Sequence, residues 1–210
     1  MNVTMFKERV FLSSPTIHGE EQMFVKEAFD TNWVAPLGKN VDEFENAVSK
    51  YLKIKGAAAL TAGTAALHLA VKLAGVQQGD IVLCSDLTFA ATVNPVSYEK
   101  GVQVFIESER ATWNMDPVLL EKALQKYNGN KYPKAKAVIV ANLYGVPAQL
   151  AAIKVLCDQY NVILIEDAAE SLSATYKGRQ TGTFGHYNVI SFNGNKIITT
   201  SGGGMLLSDD

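Results

Sequence analysis

From Gly56 onward the chain alternates short apolar runs with stretches of helical spacing, and this alternation restricts the fold more than any other feature. Seven such runs, at 57–60, 81–84, 102–106, 137–141, 162–165, 189–192 and 205–208, read as strands. Strands that are apolar along their length are buried on both faces, as in a mostly parallel sheet. Its covers are the helical stretches opened by 61–64 and running to Gly75, then 89–98, 116–124 and 148–160. Asp116 and Pro117 form an N-cap and first-turn pair for the third of these. The last two strands are joined by a short link through Lys196, which makes them antiparallel neighbours. The expected fold is therefore α/β, with a seven-stranded mostly parallel sheet, one antiparallel strand and helices on both faces. Upstream, 16–32 and 42–51 have amphipathic helical spacing. Between them Pro36 and Gly38 make WVAPLG, 33–38, a turn or arm. The segment 173–185 reads as a turn-rich excursion centred on Lys177-Gly178. No internal repeat or low-complexity linker divides the chain.

With 48% hydrophobic and 19% charged residues among 210, the chain has core enough for one large domain. A formal charge of −2 points neither to a nucleic-acid surface nor to an electrostatic membrane anchor. No run approaches the roughly 18 apolar residues of a membrane span. The opening MNVTMFKERV carries mixed charge, so a secretory signal is not expected and a cytoplasmic enzyme is. Cys84 and Cys157 sit in apolar contexts, as core thiols rather than a disulfide or metal pair. His18, His68 and His186 lack ligand spacing, so no metal site is expected.

The stretch 188–205, NVISFNGNKIITTSGGGM, starts as a strand, breaks at Asn193-Gly194-Asn195 and then presents Lys196 before a glycine turn. A lysine between apolar stretches is commonly a solvated loop residue. Here glycines and small polar residues leave room for a planar ligand, and a desolvated lysine in such a pocket attacks carbonyls. Gly63-Thr64-Ala65 lies where a strand meets a helix N-terminus, which has the physics of a phosphate cradle; Thr64 as a simple helix cap is the alternative. The dinucleotide pattern GxGxxG is absent there and at 202–204, which argues against a nicotinamide oxidoreductase. Asp167 ends the run VILIEDAA, at a strand end where ligands of open α/β sheets bind, and its carboxylate suits a positively charged ring nitrogen. A cap or an internal salt bridge is the other reading, and Glu166 beside it is less informative. Phe89, with Thr88 just past the second strand, is either core or a stacking platform for a planar cofactor. Jointly these sites describe a ligand with a phosphate, a flat ring, a basic ring nitrogen and a carbonyl. Pyridoxal 5′-phosphate has all four.

With Gly63-Thr64-Ala65-Ala66, Thr88-Phe89-Ala90-Ala91-Thr92, Glu166-Asp167-Ala168-Ala169-Glu170 and Ser191-Phe192-Asn193-Gly194-Asn195-Lys196, the chain resembles the sugar aminotransferases of the DegT/DnrJ/EryC1/StrS family. WVAPLG, NLYG at 142–145, EDAAES and SFNGNKIITTSGGGM are most similar to the branch that aminates UDP-linked 4-keto-6-deoxy-N-acetylglucosamine, the UDP-N-acetylbacillosamine type of exopolysaccharide and glycan pathways. The resemblance runs from about Phe11 to the last residue. It implies the large domain of aminotransferase fold type I, with an N-terminal helical arm at about 1–55. Family members are longer, so it also implies the cofactor-binding half of a longer protein, without the small domain.

Carried over by residue, the resemblance implies that Lys196 forms the internal aldimine and shuttles a proton, and that Asp167 pairs with the pyridine nitrogen. It implies Gly63, Thr64, Ala65 and Ser191 at the phosphate, Phe89 on the ring, and Glu170 near the cofactor hydroxyl, where many members carry histidine or glutamine. The implied reaction is a ping-pong transfer from glutamate, the amino-acid donor, to C4 of a nucleotide-linked 4-keto sugar, in a homodimer whose sites both chains build. Trp33 and Tyr144 are substrate contacts on this view, or aromatics at the dimer seam. A sugar dehydratase of the same family is an alternative, but histidine replaces the lysine there and Lys196 is present here. A non-catalytic fragment that binds cofactor is the other.

Overall fold

In the computed structural model residues 9–11 and 14–210 are described; the opening residues read above for a targeting signal, and the start of the expected arm, lie largely outside them. In chain order the elements are α1 (Glu21–Asp30), α2 (Lys39–Leu52), β1 (Gly56–Leu60), α3 (Gly63–Leu73), β2 (Ile81–Ser85), α4 (Asn94–Tyr98) and β3 (Val102–Ile106). They continue with α5 (Pro117–Lys126), β4 (Ala135–Ala141), α6 (Leu150–Tyr160), β5 (Ile163–Asp167), the hairpin β6 (Thr175–Tyr176) and β7 (Arg179–Gln180), β8 (Tyr187–Ser191) and β9 (Gly204–Ser208).

Seven strands form one sheet in the order β1-β9-β8-β5-β4-β2-β3. Only β9 runs against its neighbours, β1 and β8; the other pairings are parallel. The expected mixed sheet is the observed one. Side chains alternate along each strand, so Val138 and Leu164 enter a core under α5 and α6, whereas Ile139 and Ile165 enter one under α3 and α4. A third cluster around Ile190, Phe192 and Met205 extends the first face beneath α2, where Phe44 packs on Phe192 at 5.0 Å. Cys157 and Cys84 are buried in the cores of opposite faces and cannot pair with each other. Burial pushes both thiols up to about 12, which leaves them unreactive.

Local chemistry sets most boundaries. Asp116 caps α5 by accepting from the amides of Val118 (2.7 Å) and Leu119 (3.4 Å), with Pro117 at the first helical position. The excursion at 173–185 contains a two-residue hairpin turn, with Lys177 and Gly178 both at positive φ (51° and 78°). Three helix expectations need correction. Helix α1 starts at Glu21, not near Thr16, because the Glu21 carboxylate takes the amides of His18 and Gly19, each at 2.7 Å, and turns the chain there. The stretch 89–98 is not one helix but a 3₁₀ turn, Ala90–Thr92, followed by α4, because Pro95 supplies no amide to bridge them. Helix α6 starts at Leu150, past Pro147, rather than at Ala148. Among the described residues no helix is long and apolar enough to cross a membrane.

The first turn of α3 rests directly on β8 and β9. A Cβ on Gly204 would lie 2.3 Å from the Ala62 carbonyl carbon and the Gly63 nitrogen, and one on Gly63 would lie 2.9 Å from Ser191 Cβ. Gly204→Ala therefore has to push α3 off the sheet. We expect a loss of about 1–3 kcal/mol or more in urea unfolding, with the helix displaced.

Candidate active site

The first turn of α3, the C-terminal ends of β4, β5 and β8, and the loop after β2 surround a cavity of about 300 Å³. It opens at the carboxyl edge of the parallel strands, where α/β sheets hold ligands. Gly63, Thr64, Phe89, Asp167, Glu170, Ser191 and Lys196 all line it.

Ala62, in extended conformation, is the N-cap of α3 and offers no side-chain acceptor. The amides of Gly63, Thr64 and Ala65 consequently have no acceptor inside the helix, the first internal bond being Ala66 N–H to Ala62 O at 3.1 Å. Three amides at the positive end of a helix dipole form an anion cradle. Thr64 lies inside the helix rather than at its cap, so the capping alternative does not hold. Ala65 contributes its position in the first turn and does not itself line the cavity. The Ser191 hydroxyl stands opposite, accepting the Asn193 amide at 3.3 Å.

Strand alternation sends the adjacent carboxylates of β5 to opposite faces. Asp167 lines the cavity: Oδ2 accepts from Thr92 Oγ1 at 2.6 Å and Oδ1 from the Ala169 amide at 3.0 Å. Burial raises its pKa above the usual carboxylate range, against the opposing pull of the Thr92 hydrogen bond, the Ala169 amide and the Lys196 charge. Glu166 points the other way and is fully buried. Its Oε1 accepts from Asn142 Nδ2 (2.9 Å) and Gly182 N (2.8 Å), and Oε2 from Phe184 N (2.8 Å). Glu166 therefore makes neither a cap nor a salt bridge; it pins the 181–185 loop under the sheet. Asp167 is no helix cap either.

Lys196 projects into the cavity with its side chain 13% exposed and donates from Nζ to Glu170 Oε1 at 3.3 Å. The other Glu170 oxygen accepts the Tyr144 amide at 2.9 Å. Tyr144 is held in the left-handed region (φ 48°, ψ 37°) and its ring is exposed outside the cavity lining. Phe89 is 72% exposed on the wall, which its reading as plain core does not allow. Trp33 is not brought to this cavity: it folds over Gly38, in a shallow depression with Glu27 and Lys39. Thr92 and Asn142 belong to the site although sequence reasoning gave them no role. Thr92 ends the segment 88–92 and Asn142 opens NLYG, but only the fold shows what they touch.

The fold is that of an aminotransferase large domain. The DegT/DnrJ/EryC1/StrS aminotransferase family model matches residues 15–210, and the chain belongs to that family. It is 54% identical over 205 residues to “Putative pyridoxal phosphate-dependent aminotransferase EpsN” of Bacillus subtilis (strain 168), covering 97% of this chain and 52% of that protein. It is 37% identical to the GDP-perosamine synthase of Caulobacter vibrioides, over 96% of this chain and 53% of that one. The crystal structure of an aminotransferase from Psychrobacter cryohalolentis superposes with a TM-score of 0.87 at 30% identity, covering 96% of this chain and 50% of the other. The chain thus spans about half the length of the curated relatives it matches.

Two substitutions separate the roles of the paired carboxylates. Because the native state raises the Asp167 pKa, it binds the proton more tightly than the unfolded chain does. Stability therefore falls as pH rises from the usual carboxylate value through the raised one, and above that the buried charge is a standing cost. Asp167→Asn removes the charge, and the Thr92 hydroxyl can turn to accept from the new amide. The variant without cofactor should melt a few degrees, about 2–4 °C, above wild type at pH 7, with the gap closing in acid. Glu166→Gln instead sets its NH2 against two of the three N–H groups in one orientation and against the third in the other, and should cost about 1–3 kcal/mol in urea unfolding.

Proposed function

We propose that this chain is the cofactor-binding large domain of a pyridoxal 5′-phosphate-dependent aminotransferase acting on a nucleotide-linked 4-keto-6-deoxy sugar, with glutamate as donor. The observation that carries the reading is the convergence on one cavity of an unpartnered helix N-terminus, a buried carboxylate and a single lysine. The residues fit the cofactor. The first turn of α3 and the Ser191 hydroxyl suit its phosphate, the Asp167 carboxylate its cationic ring nitrogen, and the Phe89 face its ring. When bound, the cofactor supplies an electron sink for negative charge beside an amino nitrogen, which no side chain provides.

The chain's own residues do the rest. Lys196 Nζ is the amine of the site and the atom at which protons are held and moved, and Glu170 keeps it aimed across the cavity by accepting its hydrogen bond. Asp167 keeps its charge next to the pocket at the expense of fold stability. Asn142 braces the wall by donating to Glu166 and Ser171 while accepting the Ala148 amide.

Within this reading we place the substrate in the UDP-N-acetylbacillosamine branch, on the motifs WVAPLG, NLYG, EDAAES and SFNGNKIITTSGGGM. The working form is a cytoplasmic homodimer. In support, α1 buries none of its residues in the chain, and Met23, Phe29, Trp33, Val34 and Leu37 lie exposed along it and the arm that follows. Trp33 and Tyr144 are its proposed substrate or seam aromatics.

A visible absorption spectrum with added pyridoxal 5′-phosphate tests the proposal. We expect a band in wild type that Lys196→Ala lacks and that glutamate bleaches. A Lys196-dependent band that glutamate leaves unchanged would reduce the chain to a cofactor-binding fragment. Identical spectra for the two proteins would sink the assignment of Lys196.

A further inference from the structure

We propose that Thr92 is a positioning residue of this site, its hydroxyl aiming the Asp167 carboxylate and keeping it ionised, with Thr88 standing behind it. The inference rests on reading the cavity as a pyridoxal 5′-phosphate site, and it assigns work to a residue with no other evident task there.

Thr92 is 1% exposed, and its Oγ1 has two neighbours: Asp167 Oδ2 at 2.6 Å and Thr88 Oγ1 at 2.7 Å. A hydroxyl has one proton, and an ionised carboxylate only accepts. Thr92 must therefore donate to Asp167, and the remaining proton between the two threonines must come from Thr88. The chain runs Thr88 to Thr92 to Asp167, in that direction alone while Asp167 is charged. Each hydrogen bond in such a chain polarises the next. The Ala169 amide holds the other carboxylate oxygen at 3.0 Å, so the carboxylate is clamped at both oxygens while it lines the cavity.

The backbone makes Thr92 suited to the task. A β-branched side chain has little freedom at χ1, and its amide is tied to Phe89 O at 3.0 Å. The same 3₁₀ turn thus starts at the proposed ring platform, Phe89, and ends at the hydroxyl on the carboxylate, which gives the two a fixed relative position.

Charged groups around Asp167 come from two further segments: Lys196 favours the ionised form and Glu170 opposes it, while Glu166 faces the other side of the sheet. Without the Thr92 hydroxyl, the Ala169 amide and Lys196 alone would oppose desolvation. A carboxyl group that takes up a proton no longer holds a cationic ring nitrogen.

The test compares wild type with Thr92→Val, which keeps the shape and loses the hydroxyl, and Thr92→Ser, which keeps the hydroxyl. In the chain without cofactor, the ¹³C carboxyl resonance of Asp167, assigned with Asp167→Asn, is titrated by NMR. We expect Thr92→Val to raise the midpoint by about one pH unit, the scale of one hydrogen bond to a charged group, and Thr92→Ser to stay near wild type. With pyridoxal 5′-phosphate added, the valine variant should bind about tenfold more weakly and the serine variant should not. An unmoved midpoint in the valine variant, or an equal shift in both variants, overturns the proposal. If Thr92→Val does not fold, Thr88→Val should give a smaller shift in the same direction, and no shift there overturns it as well. The two readings fail separately: a wild type without a Lys196-dependent visible band, but with a moved Asp167 midpoint in the valine variant, refutes the cofactor and leaves the hydroxyl's hold on the carboxylate standing.

Discussion

Everything in the cavity is placed by the contact of one helix end with two strand ends. Gly63 and Gly204 bring the first turn of α3 so close to β8 and β9 that neither position has room for a Cβ. That approach sets the amides of α3 beside the Ser191 hydroxyl and next to the loop that carries Lys196. It also removes the space in which a side chain might have satisfied those amides. An anion-seeking helix end is therefore left facing a pocket rather than solvent or core, at the edge of the sheet where Asp167 ends its strand.

Two carboxylates in consecutive positions show how differently a buried charge can be treated. Glu166 is surrounded by three N–H donors from Asn142, Gly182 and Phe184, which oppose the burial that raises its pKa and fasten a loop to the sheet. Asp167 has one amide and one hydroxyl and keeps part of its surface toward the cavity. The first is satisfied by the fold. The second has each oxygen held once and stands at the cavity, where a cationic partner can reach it.

Much of this was legible in the sequence because its signals are local. Apolar runs of strand length gave the sheet, and the Asp116-Pro117 pair marked where α5 starts. Lys177-Gly178 marked the hairpin. The line-up of Gly63, Asp167 and Lys196 follows from their places at or just past strand ends, and Ser191 joins them through the family resemblance. What escaped depends on partners distant in sequence. Glu166 looked like an ordinary strand-end acid because Asn142 and the amides of Gly182 and Phe184 are 16 to 24 residues away. Thr92 bonds across 75 residues to Asp167, and nothing near it announces that. The helix expected through 89–98 is broken for a local reason, the missing amide of Pro95. Placing Trp33 was beyond local reasoning, as its position follows from how the arm folds over Gly38.

The opposite facing of Glu166 and Asp167 also makes β5 a strand whose register is read from both sides. A slip of one residue toward the C-terminal end against β4 or β8 would put the longer Glu166 in the pocket position and Ile165 beneath the 181–185 loop, and the opposite slip would put the shorter Asp167 beneath that loop and Ala168 in the pocket. The apolar residues Ile163, Leu164 and Ile165 discriminate weakly between the two alignments, being greasy on either face. In this strand it is the polar pair, not the hydrophobic pattern, that specifies which residue pairs with which. A single-residue insertion within β5 would leave a sheet that still looks sound and a cavity with the wrong acid in it.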